Sequence, residues 1–302
     1  MTPNFFIIGA PKCGTSSLAQ YLAEHSEVFF SPIKEPFYWC DDFRTSKHEF
    51  KANSLSEYLA LFEESQPQHK AVGEGSTRYL MSKTAVKRIL EFNPDSRFIV
   101  MLRNPVEAVQ AYHMEQVYSL HEDVDDFEEA WSIQEERLSG RSIPKKCSEP
   151  LFLQYGRVYK YGEQLERLFE TVSRDKVKVI IFDDFKESAL TAYKESLDFL
   201  EGRYDGRIEF PVLNSSHKHR FKWLSNLVLS PPEFFSPAVL FIRQWLISHR
   251  FPLVESIKKR LNVKSQRNYI SSDLELRLKE YFRKDVEDLS NIIGRDLTGW
   301  TK

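Results

Sequence analysis

An excess of charge of either sign is what this sequence most plainly lacks: 42 lysines and arginines stand against 44 aspartates and glutamates, a net charge of −2. A general nucleic-acid binder needs a marked basic excess, so no nucleic-acid partner is expected and any anion site must be local. Cysteine is scarce as well. Cys13, Cys40 and Cys147 are odd in number, far apart and without a C-x-x-C pairing. That argues against a disulfide framework and against a zinc site, and it fits a reducing, cytoplasmic setting. No basic segment followed by an apolar run stands near Met1, so no secretory signal is expected. The most lipid-like stretch, Phe234 to Ile247, is shorter than a bilayer span and contains Arg243 and Gln244, so no transmembrane segment is expected either. Internal repeats, heptad runs and low-complexity tracts are missing.

What the chain does have is material for a substantial core: 302 residues, 41% hydrophobic, with 23 phenylalanines and 14 prolines. One elaborated α/β domain over residues 1–302 is the expected organisation. Its organising stretch is Phe5 to Leu18. Phe5, Phe6, Ile7 and Ile8 form a short apolar run of strand character. Gly9 to Gly14 make a compact loop, and from Thr15 a helical pattern places Leu18, Tyr21 and Leu22 on one face. A helix opening directly from such a loop points unpaired N–H groups and its positive dipole end at the loop, where an anion is the natural occupant. The glycine spacing matches a Walker A loop, but Thr15 stands where that motif has its lysine, and Lys12 lies inside the loop. An ordinary ATPase or kinase loop is therefore disfavoured, and a plain strand-to-helix turn with an incidental lysine remains an alternative.

Further along, Pro32 and Pro36 bracket Lys34 and Glu35 in an extended segment beside aromatic residues. This reads either as a base with its partner or as a surface ion pair. Ser54 to Glu64 has the spacing of an amphipathic helix. Ala71 to Tyr79 reads as a strand ending in a turn with Glu74 and Ser76, site candidates at a strand end unless Glu74 caps the next helix. Arg97 to Leu102 is the clearest buried parallel strand and delivers Arg103. A helix then starts at Val106 with Pro105 at or near its first turn, leaving an arginine fork for phosphate or for a salt bridge to Glu107 or Asp95. Helical patterns over Asp126 to Leu138 and Tyr155 to Phe169 precede the strand Val177 to Phe182, which ends in Asp183 and Asp184. These aspartates look either like a Walker B element or, in the case of Asp184, like a cap on a helix from Glu187 to Leu200. Asn214 to Arg220 packs Lys218 and Arg220 among hydroxyls and histidines, which suits a lid over a polyanion. Trp223 to Leu261 is strongly aromatic, and Ser272 to Ile293 has the spacing of a final helix. His217 and His219 have no cysteine or carboxylate at ligand spacing, so no metal is expected.

The ordered set PKCGTSS, KEP followed by aromatics, GEGSTRYL, FIVMLRNP, VKVIIFDDF and IIGRDLTGW resembles a sulfotransferase over nearly the whole chain. The likeness is greatest to the bacterial and Golgi branch that includes the heparan sulfate enzymes, and the stretch Trp223 to Val263 matches least. The resemblance implies a single P-loop-like α/β domain with a central, mainly parallel sheet flanked by helices, and 211–263 as a lid and acceptor-binding region. It implies the donor 3′-phosphoadenosine 5′-phosphosulfate (PAPS; product PAP) and no metal. Lys12, Cys13, Gly14, Thr15, Ser16 and Ser17 would then bind the 5′-phosphosulfate and Arg103 the 3′-phosphate, with Lys218 and Arg220 assisting. Glu35 would be the catalytic base, aided by Lys12. Lys34, Glu74 and His113 become candidates for contact with a small-molecule or glycan acceptor. Two positions depart from the family pattern: Ala111 stands where a serine usually provides a second 3′-phosphate ligand, and Gly75 where many glycan-modifying members have lysine.

Overall fold

The computed structural model describes residues 1–44, 52–211, 217–219, 262–264 and 270–302. Five strands, β1 (Phe5–Gly9), β2 (Val28–Phe30), β3 (Ala71–Gly75), β4 (Arg97–Leu102) and β5 (Val177–Ile181), form one parallel sheet in the order β2-β3-β1-β4-β5. The first strand is central and buried along its whole length. Helices cover both faces of such a sheet, which is why β1 and β4 read as unbroken apolar runs rather than as alternating ones. Phe6 of β1 stacks on Phe98 of β4 with ring centroids 5.9 Å apart. On the other side of β1 the backbones approach so closely that a side chain at Gly73 would meet the Phe5 carbonyl at 2.4 Å.

Among the described residues the α-helices are α1 (Thr15–Ala23), α2 (Leu55–Ala60), α3 (Ala85–Phe92), α4 (Pro105–Tyr118), α5 (Phe127–Ser132), α6 (Gln134–Leu138), α7 (Tyr155–Val158), α8 (Tyr161–Thr171), α9 (Phe182–Glu187), α10 (Ala189–Phe199) and α11 (Ser272–Ile293). The last has the bounds its pattern predicts. Its buried Asp285 accepts from the amides of Gly162 and Glu163 at 2.9 and 3.1 Å, capping α8 and tying the C-terminal helix to the domain. Two expected helices are each broken in two, at Ile133 and at Tyr159–Lys160. The helix expected from Glu187 is also preceded by a separate short one, because β5 runs straight into α9 at Phe182. Ser188, not Asp184, caps α10 by accepting from the Thr191 amide at 3.2 Å.

Of the region 211–263, the described residues are Pro211 and part of a two-stranded antiparallel ribbon, β6 (His217–His219) with β7 (Asn262–Lys264). The aromatic stretch Trp223 to Leu261 and Arg220 lie outside the described residues.

Candidate active site

The loop after β1 owes its shape to its backbone. Gly14 is the N-cap of α1 at φ 91°, and a side chain there would meet the Phe182 ring at 3.1 Å. The Gly14 carbonyl accepts from Ser17 and Leu18 at 3.0 and 3.3 Å, which starts the helix. The first turn holds no acidic side chain. Lys12 sits at φ 60° and donates to Glu115 Oε1 at 3.5 Å. The loop is braced from behind: the Tyr159 hydroxyl donates to the Pro11 carbonyl at 3.0 Å, and the Tyr161 hydroxyl lies 3.4 Å from Cys13 Sγ.

From β4 the chain delivers Arg103, whose guanidinium lies over the Phe182 ring at 4.6 Å from its centroid. The same guanidinium donates to Glu107 at 2.5 and 3.2 Å. Asn104 caps α4 by accepting from the Val106 amide at 3.0 Å, with Pro105 in the first helical position, so the arginine stays outside the helix and at the carboxyl edge of the sheet.

Glu35 reaches the same edge by another route. Past β2 the chain keeps tracking β3: Ser31 N donates to Gly73 O and Glu35 N to Gly75 O, each at 2.8 Å. Glu35 and Phe37 take left-handed backbones, φ 65° and 50°, a conformation costly for non-glycine residues and concentrated at functional sites. Glu35 Oε1 accepts from the Thr77 hydroxyl and the Lys34 ammonium, each at 2.9 Å. Burial raises the pKa of this carboxyl, but the charge and hydrogen bond of Lys34, the charge of Arg78 and the Thr77 hydroxyl outweigh it. The net shift is downward, and Glu35 is ionised at neutral pH.

These groups line a cleft of about 300 Å³, together with the rings of Tyr21, Phe182, Phe185 and Phe210 and the ammonium-bearing Lys186. A smaller cavity of about 120 Å³ shares Pro11, Glu35, Thr77 and Glu115 with it and adds Arg78, Gln116 and His121. The carboxylate of Glu35 therefore stands in a wall common to both.

The model of the sulfotransferase family matches residues 3–159. The chain belongs to that family. Human carbohydrate sulfotransferase 15 is 30% identical over 165 residues, 42% of this chain and 29% of that protein. Membrane-associated sulfotransferase kil1 of Dictyostelium discoideum is 30% identical over 114 residues, 37% of this chain and 22% of that protein. The matches thus span less than a third of these relatives' own length. The crystal structure of a sulfotransferase from Alicyclobacillus acidocaldarius superposes over 100% of both chains, with 25% identity and a TM-score of 0.73.

Within this sulfotransferase fold, several expected site residues are placed elsewhere. Cys13 is fully buried, and burial pushes its thiol up to about 12 against the opposing Tyr161 hydroxyl and the nearby Arg103 charge. Its side chain anchors the loop and lines neither cavity. Glu74 is also fully buried, accepting from Ser76 at 2.8 Å and Tyr58 at 3.4 Å. Burial, offset in part by those hydroxyls, pushes it up to about 7, and it lines neither cavity and caps no helix. His113 is turned into the core, where it meets the Val124 carbonyl at 2.9 Å and packs on Phe127 and Tyr155. On a helix with about 100° between residues, the α4 positions lining the cleft are Ala111 and Glu115, and 113 lies on the far side. Asp183 accepts from the Trp300 indole at 3.4 Å and Asp184 pairs with Arg295, so neither faces the cleft. Lys34 does line it. For Lys218 only the backbone, within β6, is described. Glu115, Thr77, Lys186 and Phe182 were not singled out from sequence. The adjacency of Thr77 to Ser76 was the one available signal, since the others reach the cleft only through helix orientation.

Proposed function

We propose that the chain transfers a sulfuryl group from 3′-phosphoadenosine 5′-phosphosulfate to a hydroxyl, or an amine, of a small glycan, glycolipid or other hydroxylated metabolite. The observation that carries this reading is the meeting of Lys12, the α1 N-terminus, Arg103 and Glu35 in one cleft, with Glu35 also facing a second cavity. The residues fit the donor. Two cations and a helix N-terminus suit its phosphates, and four aromatic rings in the same cleft suit its adenine. Bound there, the donor supplies an activated sulfuryl group on a phosphate leaving group.

The chain's own residues do the rest. An alcohol is a poor nucleophile at neutral pH, and ionised Glu35, held by Thr77 and Lys34, takes its proton as it attacks. Lys12 and the α1 amides offset charge that develops on the leaving phosphate. The Arg103 fork binds the 3′-phosphate. Ala111 leaves that phosphate without a serine ligand, and Lys186, exposed on the same cleft wall, supplies a compensating charge beside the expected contributions of Lys218 and Arg220. A carbohydrate acceptor is supported by the name of the human relative. A cytoplasmic setting is the reading favoured by three cysteines that form no disulfide. Among the described residues no helix is long and apolar enough to cross a membrane.

Calorimetry with PAP and with ATP plus magnesium tests the assignment. PAP is expected to bind at least tenfold more tightly, and Lys12→Ala and Arg103→Ala should each weaken it by about tenfold or more, the order of one lost charge-assisted contact. Tight ATP binding that requires magnesium would instead favour a kinase, and binding of neither would favour a non-catalytic scaffold.

A further inference from the structure

Gln116 is a polar residue of the site that no role assigned so far explains. It lies on α4, is 5% exposed, and lines the smaller cavity together with Glu35. Its Oε1 is buried and meets no hydrogen-bond donor among the described residues. A buried acceptor left without a donor costs stability, so such an atom on a residue of a cavity wall calls for a donor from a ligand. The residue is also firmly held. Its carbonyl accepts from the amides of His121 and Glu122 at 3.0 and 3.1 Å, closing the end of α4. Glu122 in turn pairs with Arg137 at 2.5 and 2.6 Å, both side chains fully buried, and accepts from the Tyr155 hydroxyl at 2.6 Å.

The cavity limits what that donor can be. At about 120 Å³ it is well below the roughly 300–1,000 Å³ of pockets that enclose a whole drug-sized ligand, so it admits one end of an acceptor. A hydroxyl that gives its proton to Glu35 and a donor that reaches Gln116 must then sit close together on that end. Glu35 and Glu115 bring two carboxylates to the wall, against the guanidinium of Arg78, which is held between the Phe37 and Phe152 rings at 4.2 Å from each centroid. That balance disfavours an anionic group on the acceptor, while Met81 and Val158 offer apolar contact to the carbon face of a ring. We infer that Gln116 is a specificity-determining residue whose Oε1 accepts from a second hydroxyl beside the reacting one. The acceptor is then a neutral vicinal diol of the kind a sugar ring carries. The oxygen of the first hydroxyl bonds to sulfur and its proton passes to Glu35, while the bond from sulfur to the bridging phosphate oxygen breaks and its electron pair leaves with the phosphate. The second hydroxyl stays intact and orients the first. This rests on the donor and base assignments made above.

The test uses the whole chain, sulfur-labelled PAPS, and two probes that share one ring, trans-1,2-cyclohexanediol and cyclohexanol. The wild type should sulfate the diol with a kcat/KM about tenfold above that of cyclohexanol, beyond the factor of about two that its two equivalent hydroxyls give by number. Gln116→Met and Gln116→Leu nearly keep the side-chain volume and lack the oxygen. Each should bring the ratio down to about twofold, while kcat/KM for cyclohexanol and PAP affinity by calorimetry stay near wild type. With PAP bound by the wild type, four results would overturn the diol and leave the donor assignment standing: equal use of the two alcohols, sulfation of neither, a ratio unchanged in a variant that binds PAP, or a loss shared equally by both alcohols. Failure of the wild type to bind PAP would overturn both readings.

Discussion

Glu35 shows what a single residue needs to serve as the base proposed for it. Its carboxylate is held by a neighbour in sequence, Lys34, and by Thr77, which belongs to the turn after β3 and is brought in by the sheet. A carboxylate pulled down in this way stays ionised across the neutral range, so the acid limb of kcat/KM is expected below the ordinary 4.5 of glutamate. Activity should therefore be retained at pH 5 and lost only as pH falls through the depressed value. Glu35→Gln should leave PAP affinity within about twofold of wild type and lower turnover by about a hundredfold or more, the usual scale for a general base. Unchanged turnover would transfer the role to another group on the cleft wall.

At the scale of elements, the site depends on how a strand, a loop and a helix are fixed to what lies behind them. The loop is stapled by Tyr159 and Tyr161 from the α7–α8 segment, and α8 is in turn capped by Asp285 of α11. The C-terminal helix thus supports the phosphate loop without touching a ligand. Gly14 is the point of least tolerance, since φ 91° disfavours any side chain and the Phe182 ring leaves only 3.1 Å for a Cβ. Gly14→Ala is expected to lower stability by about 1–3 kcal/mol through backbone strain. It should weaken PAP binding as well, because Phe182 must shift and Arg103 rests on that ring. A denaturant titration beside calorimetry checks both; a variant with wild-type midpoint and affinity would show that the loop absorbs the side chain.

For the whole molecule, two properties follow from what is buried and from how charge is spread. Glu74 takes up its proton at about 7 in the folded chain, against 4.5 for the unperturbed group. The folded state therefore binds the extra proton between those values. Its stabilising contribution is full below 4.5 and lost as pH rises through about 7. Glu74→Gln keeps an acceptor for Ser76 and Tyr58 and removes the charge, so melting temperature should fall less between pH 5 and pH 8 in the variant than in the wild type. Equal slopes would mean that Glu74 does not control this range. A net charge of −2 offers no overall basic excess for a polyanionic chain. In a screen with labelled donor, small neutral glycans and hydroxylated metabolites are expected to be sulfated at least tenfold more efficiently than a heparan-like polymer. The reverse order would overturn the preference for a small acceptor.

The sequence by itself determined the strand–loop–helix around Lys12, the buried parallel strands, the Arg103 fork after β4 and the full extent of α11. Each of these is written in local terms: an unbroken apolar run, a glycine spacing, a proline at a first turn, or an amphipathic period. That β1 and β4 are neighbours follows from the same reading, because strands that serve one cofactor must bring their carboxyl ends together. Other features depended on contacts between residues far apart in the chain. Glu74 looked like a site residue at a strand end, but Tyr58 from α2 closes over it. His113 and Glu115 differ by only two positions on α4, yet packing against Tyr155 and Phe127 turns the first inward and leaves the second at the cleft. Asp184 looked like a cap until Arg295, 111 residues away, took its carboxylate. A polar side chain at an element's end is equally suited by sequence to water, a cap or a ligand. Only the packing of the other elements around it fixes which of these it meets.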